Sequence, residues 1–485
     1  MYLLNKSIFM ASLNRTLINT IATFLGRVSG QIFGLILGVL LARYLGPENY
    51  GKYSFVVSFC YIFVVISNFG MNDLYVRDIS ADRKLASKYL GASLIIKSFI
   101  VILSIATIFL TLKLLGYSIE MVLYAMIFSV HLFFITQINT ITSIFTSYEK
   151  MEYNAYITII NGATGLLLVT AFIFLDQSLS HILFSRVATW FFGLIVGFYF
   201  INRVIGRPDF KINLSFLANI AKRAFPFLTI GLIHILYFKV DIIMLSKIKG
   251  DLYVGYYTPA ANDLFLGLFI IPGTISTVVY PIFSRQYNES LEKMSASINF
   301  TTKILAILGV AISVGTFLLA DKIIYLFFGP KYGNSVIILQ IMSLAISFAF
   351  VRDPFGFGIA SVGKEKFLMW MNAFFLVLNI ILNAILIPLY SHVGAAITTV
   401  ICIFLSLFLG FYVLKQEVKG IFLFRDFLKP IIAGSVMGCV VFMLREYHVL
   451  FTICVGALVY GVSILMIKTF DESEMVILKS LVRRK

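Results

Sequence analysis

The sequence predicts an all-α integral membrane protein with about fourteen transmembrane helices. Three observations carry this. Of 485 residues, 60% are hydrophobic and only 13% charged, where ordinary soluble domains hold roughly 45–50% and about 25%. Apolar runs long enough to cross ~30 Å of hydrocarbon as helices, about 20 residues each, follow one another along the whole chain. The basic residues between those runs fall mostly on alternate sides. A mean hydropathy of +0.96 with 48 Phe and 25 Tyr exceeds what one soluble core can bury, so lipid must solvate the excess.

Marked off between polar breaks, the runs lie at 16–43, 54–76, 89–112, 120–147, 154–175, 180–202, 224–246, 253–283, 298–320, 334–360, 367–388, 393–414, 428–444 and 449–468. With the N-terminus in the cytoplasm, inside segments collect 26 Lys and Arg, from Lys6 and Arg15 through Arg425 to the tail Lys468, Lys479, Arg483, Arg484 and Lys485. The outside loops collect eight: Arg43, Lys52, Lys113, Lys247, Lys249, Lys322, Lys331 and Arg445. This asymmetry follows the positive-inside rule, supports an even helix count and places both termini in the cytoplasm of a plasma-membrane protein. The net charge of +16 is thus a topology signal with some attraction to anionic lipid, and no nucleic-acid partner is needed. No short apolar core with a small-residue cleavage site follows Lys6 and Arg15, so the first run is expected to stay as a helix. Cys60, Cys402, Cys439 and Cys454 show no CxxC or Cys/His spacing and read as small buried hydrophobes.

A weak internal repeat divides the chain. Gly46, Gly51 and Tyr53 recur as Gly250, Gly255 and Tyr257 at one offset of 204, in the outside loops expected after the first and seventh helices. An even number of helices per repeat makes the halves parallel repeats related about the membrane normal. The expected organisation is an N-lobe at 1–203 (helices one to six), a cytoplasmic linker at 204–222 and a C-lobe at 223–415 (helices seven to twelve). Residues 416–485 then carry helices thirteen and fourteen and a basic cytoplasmic tail.

Short connectors leave no room for a soluble catalytic domain. No GxxxxGK[ST], HExxH or GxSxG pattern occurs, and His131, His181, His234, His392 and His448 lack ligand spacing, so no catalytic residue, cofactor or metal is expected. A membrane-embedded enzyme of glycan assembly would be expected to carry a large extracytoplasmic loop, and none is predicted.

The informative residues are charges forced into the membrane: Arg27, Lys97, Arg186, Lys239, Asp241, Asp263, Arg352 and Asp353. Each costs ~2.5–3.5 kcal/mol at mid-bilayer, so it should face a partner or a hydrated cavity. Arg27 lies on a polar, small-residue face with Thr16, Thr20, Thr23, Gln31, Gly34 and Gly38, spaced three and four apart. Such a face lines a cavity, or else its glycines permit close packing and Arg27 pairs with a carboxylate. Asp263, beside Asn262 and about eleven residues into helix eight, reads as a coupling-proton site or a counter-ion to Arg27, and as more enclosed than Asp241. Lys239 and Asp241 are near the outer end of helix seven, on different faces. Arg186 and Lys97 are close enough to helix ends to snorkel. Arg352 and Asp353 are expected at a cytoplasmic mouth, where Pro354 should kink or break helix ten.

Ala42-Arg43-Tyr44-Leu45-Gly46-Pro47-Glu48-Asn49-Tyr50-Gly51-Lys52-Tyr53 resembles a hallmark of the oligosaccharide flippase (polysaccharide biosynthesis protein) family of the multidrug/oligosaccharidyl-lipid/polysaccharide exporter superfamily. Phe69-Gly70 with Val76-Arg77-Asp78-Ile79, Asp241-Ile242-Ile243-Met244-Leu245, and Asn379-Ile380-Ile381-Leu382-Asn383 leading through Ile387-Pro388 to Gly394-Ala395-Ala396 are similar to its later signatures. The resemblance implies two six-helix lobes around a central cavity open alternately to each side, moving polyprenyl-pyrophosphate-linked oligosaccharide, with a polysaccharide polymerase or glycosyltransferases as partners. On that footing Arg27, Gln31, Arg186, Lys239 and Arg352 are assigned to the pyrophosphate and cavity, and Asp241 and Asp263 to ion coupling or counter-charge, the ion being a proton or sodium. The rival within the superfamily is a cation-coupled multidrug exporter. Five intramembrane cations against three carboxylates favour an anionic substrate.

Overall fold

The computed structural model describes residues 2–422, 425–471 and 474, and among these the chain is helical with short connectors and no strand. Its helices are α1 (Tyr2–Asn68), α2 (Met71–Ala81), α3 (Ala86–Leu114), α4 (Ile119–Ser129), α5 (His131–Ser147), α6 (Met151–Phe174), α7 (Leu179–Val204) and α8 (Leu214–Lys249). There follow α9 (Asp251–Thr258), a π-helical stretch (Pro259–Phe265), α10 (Leu266–Leu268), α11 (Ile270–Glu289), α12 (Leu291–Leu318) and α13 (Ala320–Phe327). The last are α14 (Ser335–Ser361), α15 (Glu365–Glu417), α16 (Arg425–Met443) and α17 (Val449–Met466).

Among the described residues, eleven helical segments are long and apolar enough to cross a membrane, against the fourteen separate runs expected. The difference has a local cause. Runs 16–43 and 54–76 fall in one helical segment, Ile18–Ala81, and runs 367–388 and 393–414 in another, Glu365–Glu417; run 428–444 corresponds to the shorter Phe427–Met443. The motif at 46–53 is not a loop. Gly46 alone leaves helical geometry (φ 69°, ψ 173°), a conformation open to residues without a Cβ, and Pro47 then restarts the helix from a position where its missing N–H costs nothing. Ser391 (φ 54°, ψ −131°) breaks α15 in the same way. The break expected at Pro354 does not form: α14 runs on from Ser335 to Ser361.

The chain divides into two compact units, the first ending at Gly255 and the second beginning at Tyr256. In the first, Phe55, Phe59, Ile108, Val122 and Leu132 form one buried apolar cluster, and Met71, Tyr75, Tyr89, Ile141 and Ile220 another. Helix α8, expected with the C-lobe, is grouped here because it packs on α1 and α2. Gly70 permits this: a Cβ there would overlap the Ala224 carbonyl oxygen. On the same side of the unit, Arg223 pairs with Asp78 at 2.8 Å, and Asp78 also accepts from Tyr89 at 2.6 Å. The connector before α8 is pinned to α3, where Ser87 donates to the Arg207 carbonyl at 2.6 Å and accepts the Asp209 N–H on its own carbonyl at 3.0 Å.

In the second unit α16 packs on α12 and α17. Tyr460 donates to the Ile307 carbonyl at 2.8 Å, and Arg445 pairs with Asp321 at 2.7 Å. Cys60 and Cys402 are buried as expected, whereas Cys439 and Cys454 are exposed, which corrects the reading of all four as buried. The tail residues Lys479, Arg483, Arg484 and Lys485 lie outside the described residues, as do the side chains of Lys6, Thr16 and Arg425.

Candidate functional site

Helix α1 meets α6 through small residues. A Cβ on Gly26 would touch Ala155, one on Gly30 would touch Thr158, and Phe33 lies against Gly162. Close approach of this kind is how membrane helices pack without a hydrophobic force between them. Beside that seam, α1, α5, α6 and α7 enclose a cavity of about 410 Å³, within the range of small-ligand sites. Its polar lining is Asn139, Thr142, Asn154, Thr158, Asn161, Arg186 and Thr189, and its apolar lining includes Phe33, Trp190 and Ile138. None of the lining residues is acidic.

Arg186 is the single charge on this cavity, which corrects the expectation that it snorkels. Its guanidinium rests on Gly165, where a Cβ would lie 2.9 Å from a terminal nitrogen. Its Nε is buried with no hydrogen-bond partner. Two side-chain oxygens on α6 are in the same state, Oδ1 of Asn154 and Oδ1 of Asn161, the latter packed against Gly193. A buried polar atom left unpaired costs roughly 1–3 kcal/mol. Sequence reading missed the asparagines, although Asn154, Thr158, Asn161 and Gly165 share the three- and four-residue spacing that marked α1.

The other expected residues are dispersed. Arg27 and Gln31 are exposed on α1, flanking the cavity-lining Gly30 and Gly34. Lys239 is half-buried on α8. Asp241 is 6% exposed, whereas Asp263 on the π-helical stretch is half-buried, the reverse of the expected ranking. Arg352 stands 4.0 Å from Asp353 and 3.5 Å from Ser406 in the second unit. Lys97 does not snorkel: it is fully buried, and its ammonium donates to Asn68 Oδ1 (3.0 Å), Asn72 Oδ1 (2.7 Å), the Thr136 carbonyl (3.1 Å) and Thr140 Oγ1 (2.7 Å). Four neutral oxygens replace the counter-ion a buried cation ordinarily requires.

The family described as polysaccharide biosynthesis protein matches residues 16–287, more than half the chain. The chain belongs to that family. The MatE family also matches, over residues 226–385. Among curated relatives, the capsular polysaccharide biosynthesis protein CapF of Staphylococcus aureus is 27% identical over 56% of this chain and 69% of its own length. The teichuronic acid biosynthesis protein TuaB of Bacillus subtilis is 21% identical over 50% of this chain and about half, 52%, of its own length. In fold, the polysaccharide biosynthesis chain is similar to the lipid II flippase MurJ in an inward closed conformation, with a TM-score of 0.77 at 19% identity over 93% of this chain and 99% of that one. It is also similar to a multidrug resistance MATE family transporter of the MOP superfamily, with a TM-score of 0.67 at 17% identity over 82% and 98%. The polysaccharide biosynthesis chain is thus a multi-pass membrane protein with the transporter fold of that superfamily.

Proposed function

We propose that this protein is a flippase that carries polyprenyl-pyrophosphate-linked oligosaccharide across the cytoplasmic membrane by alternating access, altering no covalent bond of its cargo. The observation that carries the reading is the intramembrane cavity of the first unit, whose one charge is a guanidinium without a carboxylate partner among the described residues. A hydrated basic cavity suits a polyanionic, hydroxylated head group, while the polyprenyl tail can remain in lipid. Arg27, exposed beside the cavity on α1, is the residue assigned to the pyrophosphate. Both termini are placed in the cytoplasm, and glycan-assembling enzymes at the same membrane are the proposed partners. No cofactor enters the scheme, and a proton or sodium gradient is the energy source it allows.

The MatE match supports a second reading, a cation-coupled multidrug exporter. A cationic drug needs acidic lining residues, and this cavity has none. The test is flipping of a labelled lipid-linked oligosaccharide in proteoliposomes, its mass unchanged on arrival. Arg27→Ala should abolish transport with insertion intact, and Arg27→Lys should retain part of it, because bidentate phosphate contact needs the guanidinium fork. Normal transport by well-expressed Arg27→Ala would overturn the pyrophosphate assignment.

A further inference from the structure

We infer that the connector between α7 and α8, residues 205–213, is an interfacial anchor that binds anionic phospholipid in the leaflet where α7 ends, the cytoplasmic one in the orientation proposed above. The inference does not depend on which cargo the protein carries.

The backbone fixes the depth of the connector. A Cβ on Gly91 would overlap the Asp209 carbonyl oxygen, and Ser87 holds the connector twice, donating to the Arg207 carbonyl and accepting the Asp209 N–H. Gly91 lies within the apolar run 89–112, so the connector is held at the level where the α3 span begins, within reach of lipid headgroups. Helix α7 marks the same level: Arg203 in its last turn stacks on the exposed Tyr199 at 4.4 Å, as in an interfacial aromatic belt. A connector at that depth has little water to satisfy its backbone. Its amides bond inward instead: the Lys211 N–H to Asp209 Oδ1 (2.8 Å), the Ile212 N–H to the Phe210 carbonyl (2.8 Å), and the Phe216 N–H in the first turn of α8 to Asn213 Oδ1 (3.0 Å).

The side chains divide into two sets. Ile205, Ile212 and Phe216 pack on the buried cluster that contains Tyr89 and Ile220. Phe210 and Leu214 do not: they are 57% and 80% exposed, beside the exposed cations Arg207 and Lys211. Two large apolar side chains left outside the core at headgroup depth fit insertion at the acyl boundary, with the flanking cations in the headgroup layer. Charge selects the lipid. Segments 82–88 and 203–211 carry six Lys and Arg against two Asp. Both carboxylates accept N–H groups of their own turns, Asp82 from Lys84 and Asp209 from Lys211. An anionic lipid surface complements that excess, each nearby cation favouring it by about fivefold. A cytosolic protein is the poorer fit, because Gly91 holds the connector backbone at the level of the span.

The test places a tryptophan on the connector. Phe210→Trp, in a chain whose 2 native Trp are removed by Trp190→Phe and Trp370→Phe, is reconstituted into phosphatidylcholine vesicles with phosphatidylglycerol as the minor component. Bromine is carried on the acyl chains of one lipid or the other. Quenching should report an enrichment of the anionic lipid around the connector of about fivefold or more. Arg207→Gln with Lys211→Gln should cut that enrichment by about half or more, and so should raising the salt. Leu214→Trp repeats the measurement at a second exposed position, so one poorly folded variant does not decide the outcome. Equal quenching by the two lipids, or an enrichment that ignores both the substitutions and the salt, would overturn the anionic assignment. No quenching by either lipid would put the connector in water, leave its surface to a cytosolic protein and overturn the anchor. Because no step of the measurement involves transport, failure of the flippase reading would leave its result unchanged.

Discussion

Gly51 and Gly255, 204 residues apart, occupy equivalent places in one backbone contact. A Cβ on Gly51 would overlap the Asp251 carbonyl oxygen, and a Cβ on Gly255 would overlap the Pro47 carbonyl oxygen. Pro47 and Asp251 are themselves 204 apart, so each copy of the repeated motif presents its glycine to the same position of the other. Gly46 (φ 69°) and Gly250 (φ 95°), at the heads of the two copies, share an extended ψ near 173°. This is the reciprocity of a two-fold contact, realised within one chain.

The contact predicts a specific mutational pattern. Gly51→Ala and Gly255→Ala should each lower thermal stability by about 1–3 kcal/mol through overpacking. The double variant should lose less than the sum, because both substitutions push the same backbones apart. Gly461→Ala in α17, with nothing within 4 Å of its Cβ, is the control and should be neutral or slightly stabilising. Additive losses in detergent melts would show that the two glycines act separately.

Lys97 should be a stability residue. Removing its ammonium in Lys97→Ala takes the donor from the Asn68 and Asn72 amide oxygens, whereas Thr140 keeps Ser93 and the Thr136 carbonyl keeps Thr140, and it opens a cavity, at a cost of at least about 1–3 kcal/mol. Asn72→Ala, which removes one of the four, should cost less. A melting temperature unchanged by Lys97→Ala would show that the oxygens find other donors.

At the turn into α13, burial alone would raise the Asp321 carboxyl, but the Arg445 guanidinium and backbone N–H groups hold it below the usual carboxylate range. A folded-state pKa below the unfolded value, near 3.9, contributes stability above about pH 4 that is lost as pH falls through the folded value. The pair is partly exposed, so the effect is at most about 1 kcal/mol. The protection factors of α13 amides, corrected for the intrinsic pH dependence of exchange, should fall at acid pH in the wild type, and Arg445→Gln should flatten that dependence.

Topology is open to cysteine labelling. Cys439 and Cys454 are exposed and must first be replaced, whereas Cys60 and Cys402 are buried and can stay. An impermeant reagent on whole cells should then modify a cysteine at Lys249 and spare one at Lys84. Labelling at Lys84 alone would invert the orientation.

Composition and period made the helical membrane fold legible, because apolar length is a property of each segment alone. Of the polar face read on α1 only Gly34 lines the cavity, beside Gly30, Phe33 and Leu37, while Arg27 and Gln31 do not. The breaks were legible in part: the polar gaps after run 16–43 and after run 367–388 hold Gly46 and Ser391, where the helices are interrupted, though each gap closes to a single non-helical residue instead of a loop. Pro354 leaves α14 unbroken, so residue type alone misplaced that one. Arg186 and Lys97 looked alike on the chain, each a lone cation near a helix end. What separates them is a set of neighbours on other helices, four oxygens around Lys97 and none on the Nε of Arg186, and that is set only when the helices pack.

The cage around Lys97 has an electrical consequence. Voltage does work only on charge that moves along the field, about 2.3 kcal/mol per elementary charge per 100 mV across the whole membrane. An ammonium tied by four oxygens to α1, α2 and α5 moves along the field only as far as those helices do. On the proposed flippase reading, the potential of an inside-negative cell acts on the cargo, and each negative charge leaving the cytoplasm runs downhill. Flipping of an anionic head group should accelerate as the interior is made more negative, with a voltage slope that Lys97→Met leaves unchanged.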